Sequence, residues 1–391
     1  MAEQLRHPQG RRSFITLASV VGLTLVLASC AAGPRRPPTA QPTPPTTEIT
    51  PNLPPDETRN RVAVLVPMTG PNAGVGQSIA NAANMALLDT GGQRIRITIY
   101  DTAKAGALAA ANEALADGSG LFLGPLLAED AKAVAPVARR ARVPVVAFSN
   151  DTSVAGNGVY LMGFTPEQSI DRVVDYARAH GVQRFGALVP QGVYGQRASA
   201  AVIAAVEHSG GRVIGMQEYD RSPAGVKAAL GRLQAQGSYD AILIADSGRN
   251  AASTATLVRA GSLRSARLLG TELWATEADL PQLASLHGAW FASAPDAMFN
   301  QLRTKYRARY GRAPYRLAGL GYDAVLLAVR IAADWPIGRA FPQRALLDSG
   351  GFSGVDGAFR FTREGVAERA LQVQEIDAGG LTVVSAAPKG F

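Results

Sequence analysis

The chain of 391 residues has a single cysteine, Cys30, so it can form neither an intramolecular disulfide nor a multi-cysteine zinc site. Its four histidines, His7, His180, His208 and His287, include no pair at metal-ligand spacing, and no metal is expected. Lysine is scarce, at Lys104, Lys132, Lys227, Lys305 and Lys389, and arginine supplies the rest of a formal net charge of +8. The densest basic group is Arg303, Lys305, Arg307 and Arg309, and no aromatic-rich recognition motif accompanies it. Nucleic acid is therefore not an expected partner. Only residues 14–29 form an apolar run that approaches spanning length, which excludes a multi-pass membrane protein. Hydrophobic residues make up 47% and charged residues 18%, a globular balance that excludes a disordered chain. At roughly 100–200 residues per domain the length predicts two or three domains.

Enzyme signatures are missing as well. Residues 70–76 are glycine-rich, but no lysine follows at phosphate-loop spacing. Gly74-Val75-Gly76 lacks the third glycine of a dinucleotide fingerprint, because Ile79 stands in its place. There is no GxSxG elbow and no HExxH helix. A non-enzymatic protein without a cofactor is expected.

The first thirty residues read as an address. Arg6, Arg11 and Arg12 form a positive start, residues 14–29 an apolar stretch, and Leu27-Ala28-Ser29-Cys30 a small-residue cleavage site that ends on the only cysteine. This resembles a bacterial lipobox, which implies a signal peptide over 1–29, a lipid on Cys30 and attachment to a membrane. Arg11-Arg12-Ser13-Phe14-Ile15 also resembles a twin-arginine export signal. Between Pro34 and Pro55 there are nine prolines, so residues 30–60 read as an extended tether that builds no core. A body on such a tether is expected in the periplasm at a membrane surface. Ala31 after the cysteine lacks the aspartate that retains some lipoproteins in the inner membrane, so the outer membrane is preferred.

From Arg61 the pattern changes. Val62-Ala63-Val64-Leu65-Val66 is a continuous apolar run, as in a strand buried on both faces. A loop over 67–76 and a helix from Ile79 follow, and strands and helices alternate to residue 148. A second such series starts at Thr165 and Pro166, which carry N-cap and N1 signals. His180 and His208 fall at helix C-termini, where a cation is favourable. Residues 290–292 read as a crossover, and residues 359–361 with 371–376 as a closing hairpin. The fold class is α/β: two doubly wound, Rossmann-like lobes with a cleft between them. Ligands of such sheets sit beyond the strands' carboxyl ends. The loops there supply Thr69, Gly70, Ser149, Asn150, Asp246 and Trp274 as candidate binding residues.

The pieces VAVLVPMTGPNAGVGQ (62–77), LGPLLAEDAKAVAPVARRARVPVVAFSNDTS (123–153), GFTPEQSIDRVVDYARAHGVQRFGALVPQGVYGQ (163–196), LLGTELW (268–274) and FSGVDGAFRFTREG (352–365) resemble, in this order, type I periplasmic binding proteins of the leucine-binding class. That resemblance implies two lobes joined by three crossovers: 61–162 plus 296–345, and 163–295 plus 346–391. It also implies a ligand site in which Thr152 holds a carboxylate, Tyr194 lines the pocket and Glu272 takes an ammonium. Where amino-acid binders have a serine-rich turn, this chain reads Gly124-Pro125-Leu126-Leu127-Ala128. Gly-Pro-Leu-Leu and Gly-Thr-x-Leu-Trp instead resemble the lipoproteins known as penicillin-binding-protein activators. Two functions follow from these resemblances. One is a regulator whose partner is a cell-wall synthase. The other is the capture component of an ABC importer, whose partners are a permease and an amino-acid-like solute.

Overall fold

The computed structural model describes residues 58–277 and 279–391. The expected signal peptide, the Cys30 lipid site and nearly all of the expected tether lie outside the described residues.

The first sheet is wholly parallel. Its strands are β1 (Asn60–Val66), β2 (Ile95–Asp101), β3 (Leu121–Leu123), β4 (Val145–Ala147) and β5 (Val159–Leu161), in the order β2-β1-β3-β4-β5. Helices α1 (Ala73–Asp89), α2 (Ala107–Ala116) and α3 (Ala128–Ala141) connect the first four strands. Val62 through Val66 are fully buried, as a strand covered on both faces requires. Helix α1 starts six residues earlier than the apolar spacing predicts and takes in Gly74 and Gly76. A Cβ at Gly76 would stand 1.9 Å from the Pro67 carbonyl oxygen. That glycine lets the helix start pass close to the strand end, so the glycine-rich stretch is a packing device.

The chain then crosses to the second lobe through α4 (Pro166–Ala179). Thr165 stands at its N-cap with Pro166 at the first helical position, but the threonine side chain makes no cap bond. The second lobe continues with β6 (Arg184–Pro190), α5 (Val193–His208), β7 (Arg212–Tyr219), α6 (Pro223–Gln236), β8 (Ala241–Ile244), α7 (Gly248–Ala260), β9 (Arg267–Gly270) and β10 (Trp290–Ser293). Residues 290–292, read as a crossover from sequence, are thus a buried strand, parallel to β9. Ser222 and Ser247 cap α6 and α7 by accepting from the Gly225 and Asn250 amides.

A second crossing leads to α8 (Asp296–Tyr310) and α9 (Ala318–Ala332). Leu320, Ala324 and Ala328 of α9 share the first lobe's core with Ile79, Ala83 and Ala86 of α1. The strands β11 (Phe352–Gly354), β12 (Gly357–Phe361) and β13 (Ala367–Arg369) form a separate antiparallel sheet, and β14 (Gln372–Asp377) and β15 (Gly380–Ser385) complete the second lobe's sheet in the order β15-β14-β10-β9-β8-β6-β7. Residues 359–361 and 371–376 therefore do not pair with each other. Phe352, Phe359 and Phe361 belong to the first lobe's core, so residues 346–391 divide between the lobes near 370. Large apolar side chains, rather than chain order, decide which lobe a late segment joins.

A buried ion cluster ties the crossings together. Arg369 donates to the Met162 carbonyl oxygen at 2.5 Å, across the first crossing. Arg316, between α8 and α9, lies 3.9 Å from Asp296 at the second crossing and pairs with Asp356, whose side chain is fully buried. Asp323 of α9 accepts from the Val355 amide at 2.6 Å and the Asp356 amide at 3.2 Å. Arg316→Ala would leave the fully buried Asp356 without its paired cation. We expect urea unfolding of that variant to show a loss of about 3–5 kcal/mol.

Candidate functional site

The carboxyl ends of both sheets converge on one cavity of about 330 Å³. The first lobe contributes Val75 of α1, Leu126 and Leu127 after β3, and Phe148 after β4. The second contributes the turn after β9, from Glu272 to Thr276, and Ala294 after β10. Phe164 of the first crossing and Arg316 with Leu317 before α9 close it. The wall is mainly apolar, and its charged members are Glu272 and Arg316.

Glu272 is buried, with no cation bonded to it. Ser169 Oγ, in the first turn of α4, donates to Oε2 at 2.5 Å. The Tyr194 hydroxyl, at the start of α5, donates to Oε1 at 3.0 Å and lies 2.9 Å from Thr271 Oγ1. Burial pushes the Glu272 carboxyl up to about 7, outweighing the hydrogen bonds that favour its charge. Burial, reinforced by Glu272, also pushes the Tyr194 phenol well above its ordinary value. Arg316 is held differently. It pairs with Asp356, lies 3.9 Å from Asp296, and stacks 4.1 Å over the Phe299 ring.

Of the other expected site residues, one reaches the cavity and the rest are engaged elsewhere. Asn150 lines the cavity. Thr152 Oγ1 accepts at 3.0 Å from Arg197 of α5, which also donates to the Asn150 carbonyl oxygen at 3.3 Å and pairs with Asp151. Ser149 is buried, and its Oγ accepts from the Asp151 amide at 3.0 Å. Thr69 is exposed, with its hydroxyl donating to Asp101 at 2.8 Å, and Gly70 next to it adopts φ +74° in an exposed turn. Asp246 accepts from Tyr219 at 2.9 Å and from Arg221 and Asn250. Burial works the other way, but these bonds hold Asp246 below the ordinary carboxylate range. Trp274 packs in the core beneath Gly270, where a Cβ would stand 2.2 Å from its ring. The structure thus brings Asn150 and Glu272 to the cavity wall, holds Tyr194 against Glu272, and keeps Thr69, Gly70, Ser149, Thr152, Asp246 and Trp274 off the wall.

Ser169, Arg197 and Arg316 were not found from sequence. Arg197 follows Tyr194 by three residues, so both project from neighbouring faces of one helix turn, and this was the one signal available. Among the described residues no group of three or more His, Cys, Asp or Glu could hold a metal ion, and no helix is long and apolar enough to cross a membrane.

The raised Glu272 carboxyl generates a pH prediction. Between about pH 4.5 and 7 the unfolded chain ionises this group while the folded protein keeps it protonated, so stability falls as pH rises through that window. The difference is on the order of 3 kcal/mol. Glu272→Gln should flatten that fall when wild type and variant are unfolded in urea across the window.

Comparison with known proteins agrees with this geometry. A curated protein of Rickettsia prowazekii (strain Madrid E), "Uncharacterized protein RP748", is 26% identical over 170 residues, covering 43% of this chain and 46% of its own. The chain thus matches under half the length of that relative. The leucine-binding protein LivK of Thermotoga maritima superposes with a TM-score of 0.64 at 20% identity, covering 84% of this chain and 98% of that one. LpoA of Haemophilus influenzae gives 0.64 at 20% identity, covering 84% of this chain but 59% of its own. At such identities the likeness is one of fold. A family model described as "Periplasmic binding protein" matches residues 60–381, and the chain belongs to that family.

Proposed function

We propose that this protein is a non-enzymatic periplasmic lipoprotein that regulates peptidoglycan synthesis, as a penicillin-binding-protein activator acting on a cell-wall synthase from the outer membrane. The observation that carries this reading is Arg197. It reaches from α5 of the second lobe to the 150–152 loop of the first and takes up the Thr152 hydroxyl. An importer's receptor must report its solute by closing on it, and a ligand shifts that equilibrium only by its differential affinity for the two states. Here the protein's own arginine bridges the lobes, which suits a body presented to a protein partner. Leu126 and Leu127, in place of a serine-rich turn, support the same reading. The lipobox, the proline tether and the Gly-Pro-Leu-Leu and Gly-Thr-x-Leu-Trp pieces agree with it.

The pairing of Glu272 with Tyr194 at the cavity favours a second reading, solute capture for an ABC permease. One pair of measurements separates the two. Glycan polymerisation by a purified synthase should rise when the protein is added, and calorimetry with free amino acids should show no heat of binding. Glu272→Ala should leave the stimulation unchanged. Arg197→Ala should expand the protein in small-angle scattering and weaken the stimulation. Micromolar amino-acid binding, about −8 kcal/mol, together with an unaltered synthase rate would overturn the regulatory reading.

A further inference from the structure

The second lobe carries a mainly polar cavity of about 580 Å³ at the end away from the cleft. Asp240 precedes β8, Arg267 opens β9 and Trp290 opens β10, so the cavity lies at the amino ends of these parallel strands. Arg259 near the end of α7 and Arg267 both line it, with His180, Ser265 and His287. Arg259 donates to the carbonyl oxygens of Arg264 at 3.2 Å and His287 at 3.1 Å, and among the described residues it forms no ion pair. Arg267 donates to the Gly288 carbonyl oxygen at 2.5 Å and stacks 4.2 Å over the Trp290 ring. Its carboxylate partner Glu375 stands 3.8 Å away and already accepts from Trp290 Nε1 at 2.6 Å. Asp240, the carboxylate on the wall, is paired with Arg184 at 2.7 Å and accepts from the Gln183 and Arg184 amides.

The positive charge on this wall is therefore incompletely met. Burial first, and then the charge of Arg267, hold Arg259 below its ordinary value. An anion held by both guanidiniums would reverse the second effect. The imidazoles add capacity. His180 Nδ1 donates to the Tyr176 carbonyl oxygen at 2.8 Å and His287 Nε2 to that of Pro281 at 2.8 Å, which leaves the other nitrogen of each ring for a ligand. A guanidinium fork matches a pair of phosphate or carboxylate oxygens, and two forks on one wall favour a doubly charged group. A phosphate monoester is close to a dianion at neutral pH.

We propose that this cavity binds the phosphate group of a monoester, with Arg259 and Arg267 holding its oxygens and Ser265, His180 and His287 meeting the rest of the molecule. Such a group is carried by small soluble esters and by lipid headgroups, and the recognising chemistry is the same for both.

The test uses the full chain in low-salt, phosphate-free buffer and calorimetric titration with glycerol 3-phosphate, with glycerol as the uncharged control and dihexanoyl phosphatidate as a water-soluble headgroup. One of the two phosphate esters at least should bind at a single saturable site, and glycerol should not bind. Phosphatidate bound about tenfold more tightly than glycerol 3-phosphate assigns the site to a headgroup, and equal or weaker binding assigns it to a soluble ester. Arg259→Gln and Arg267→Gln should each weaken binding about tenfold or more, through loss of a charge-assisted hydrogen bond. Ser265→Glu adds a carboxylate to the wall from an exposed position, should weaken binding similarly, and keeps the test intact if the arginine variants fail to fold. Arg303→Gln removes the same charge from the exposed basic group on α8 and should bind like wild type. The proposal is overturned if neither ester binds saturably, if glycerol binds as tightly, if the folded variants of Arg259, Arg267 and Ser265 bind like wild type, or if Arg303→Gln weakens binding as much as they do.

Discussion

The pairing of Arg316 with Asp356 is the constraint around which the lobes are arranged. Arg316 lies between α8 and α9, 3.9 Å from Asp296 at the second crossing, Asp356 sits in the turn between β11 and β12, and Arg369 at the end of β13 reaches the first crossing at Met162. A chain that passes between two lobes three times needs its crossing strands fixed relative to each other. Here charged groups do this in a site water does not reach. Burying them costs free energy that attraction alone does not return, and backbone amides offset part of it. Asp323 shows the remainder. Burial and the charge of Asp356 push its carboxyl well above the ordinary range, so it holds the Val355 and Asp356 amides largely as a neutral acid.

That cluster also sets the chemistry of the cavity. Because Asp356 takes the charge of Arg316, the guanidinium forms part of the wall without offering itself to an anion. The same logic applies across the cavity. Glu272 is placed by the end of β9, but Ser169 and Tyr194 satisfy it from two helices of its own lobe. Both charged groups of the wall thus have partners within the protein, and apolar side chains make up most of the rest.

Most of the fold was legible because buried parallel strands read as continuous apolar runs and their helices as spaced apolar stripes. Val62 to Val66 and Ala241 to Ile244 are fully or almost fully buried. The errors fell where local pattern and tertiary packing part company. Residues 290–292 look like a link because a long irregular stretch precedes them, but they fill the sheet between β9 and β14. The segment 352–369 lies late in the chain and was expected with the second lobe, yet Phe352, Phe359 and Phe361 anchor it in the first lobe's core. The site was less legible. Glu272 and Asn150 fall on the cavity wall because they follow strand ends. Arg197 and Arg316 could not be placed this way, since an arginine's reach is decided by partners far off in sequence.

A shared fold does not by itself fix a function. In a two-lobed binding protein the free energy of closure has to come from somewhere. When the ligand supplies it, the cleft carries hydrogen-bonding groups left unsatisfied until the ligand arrives. In this chain the Thr152 hydroxyl, the Asn150 carbonyl and the Asp151 carboxylate are all met by one arginine from the opposite lobe. The bridging interaction is therefore intramolecular and present without any solute.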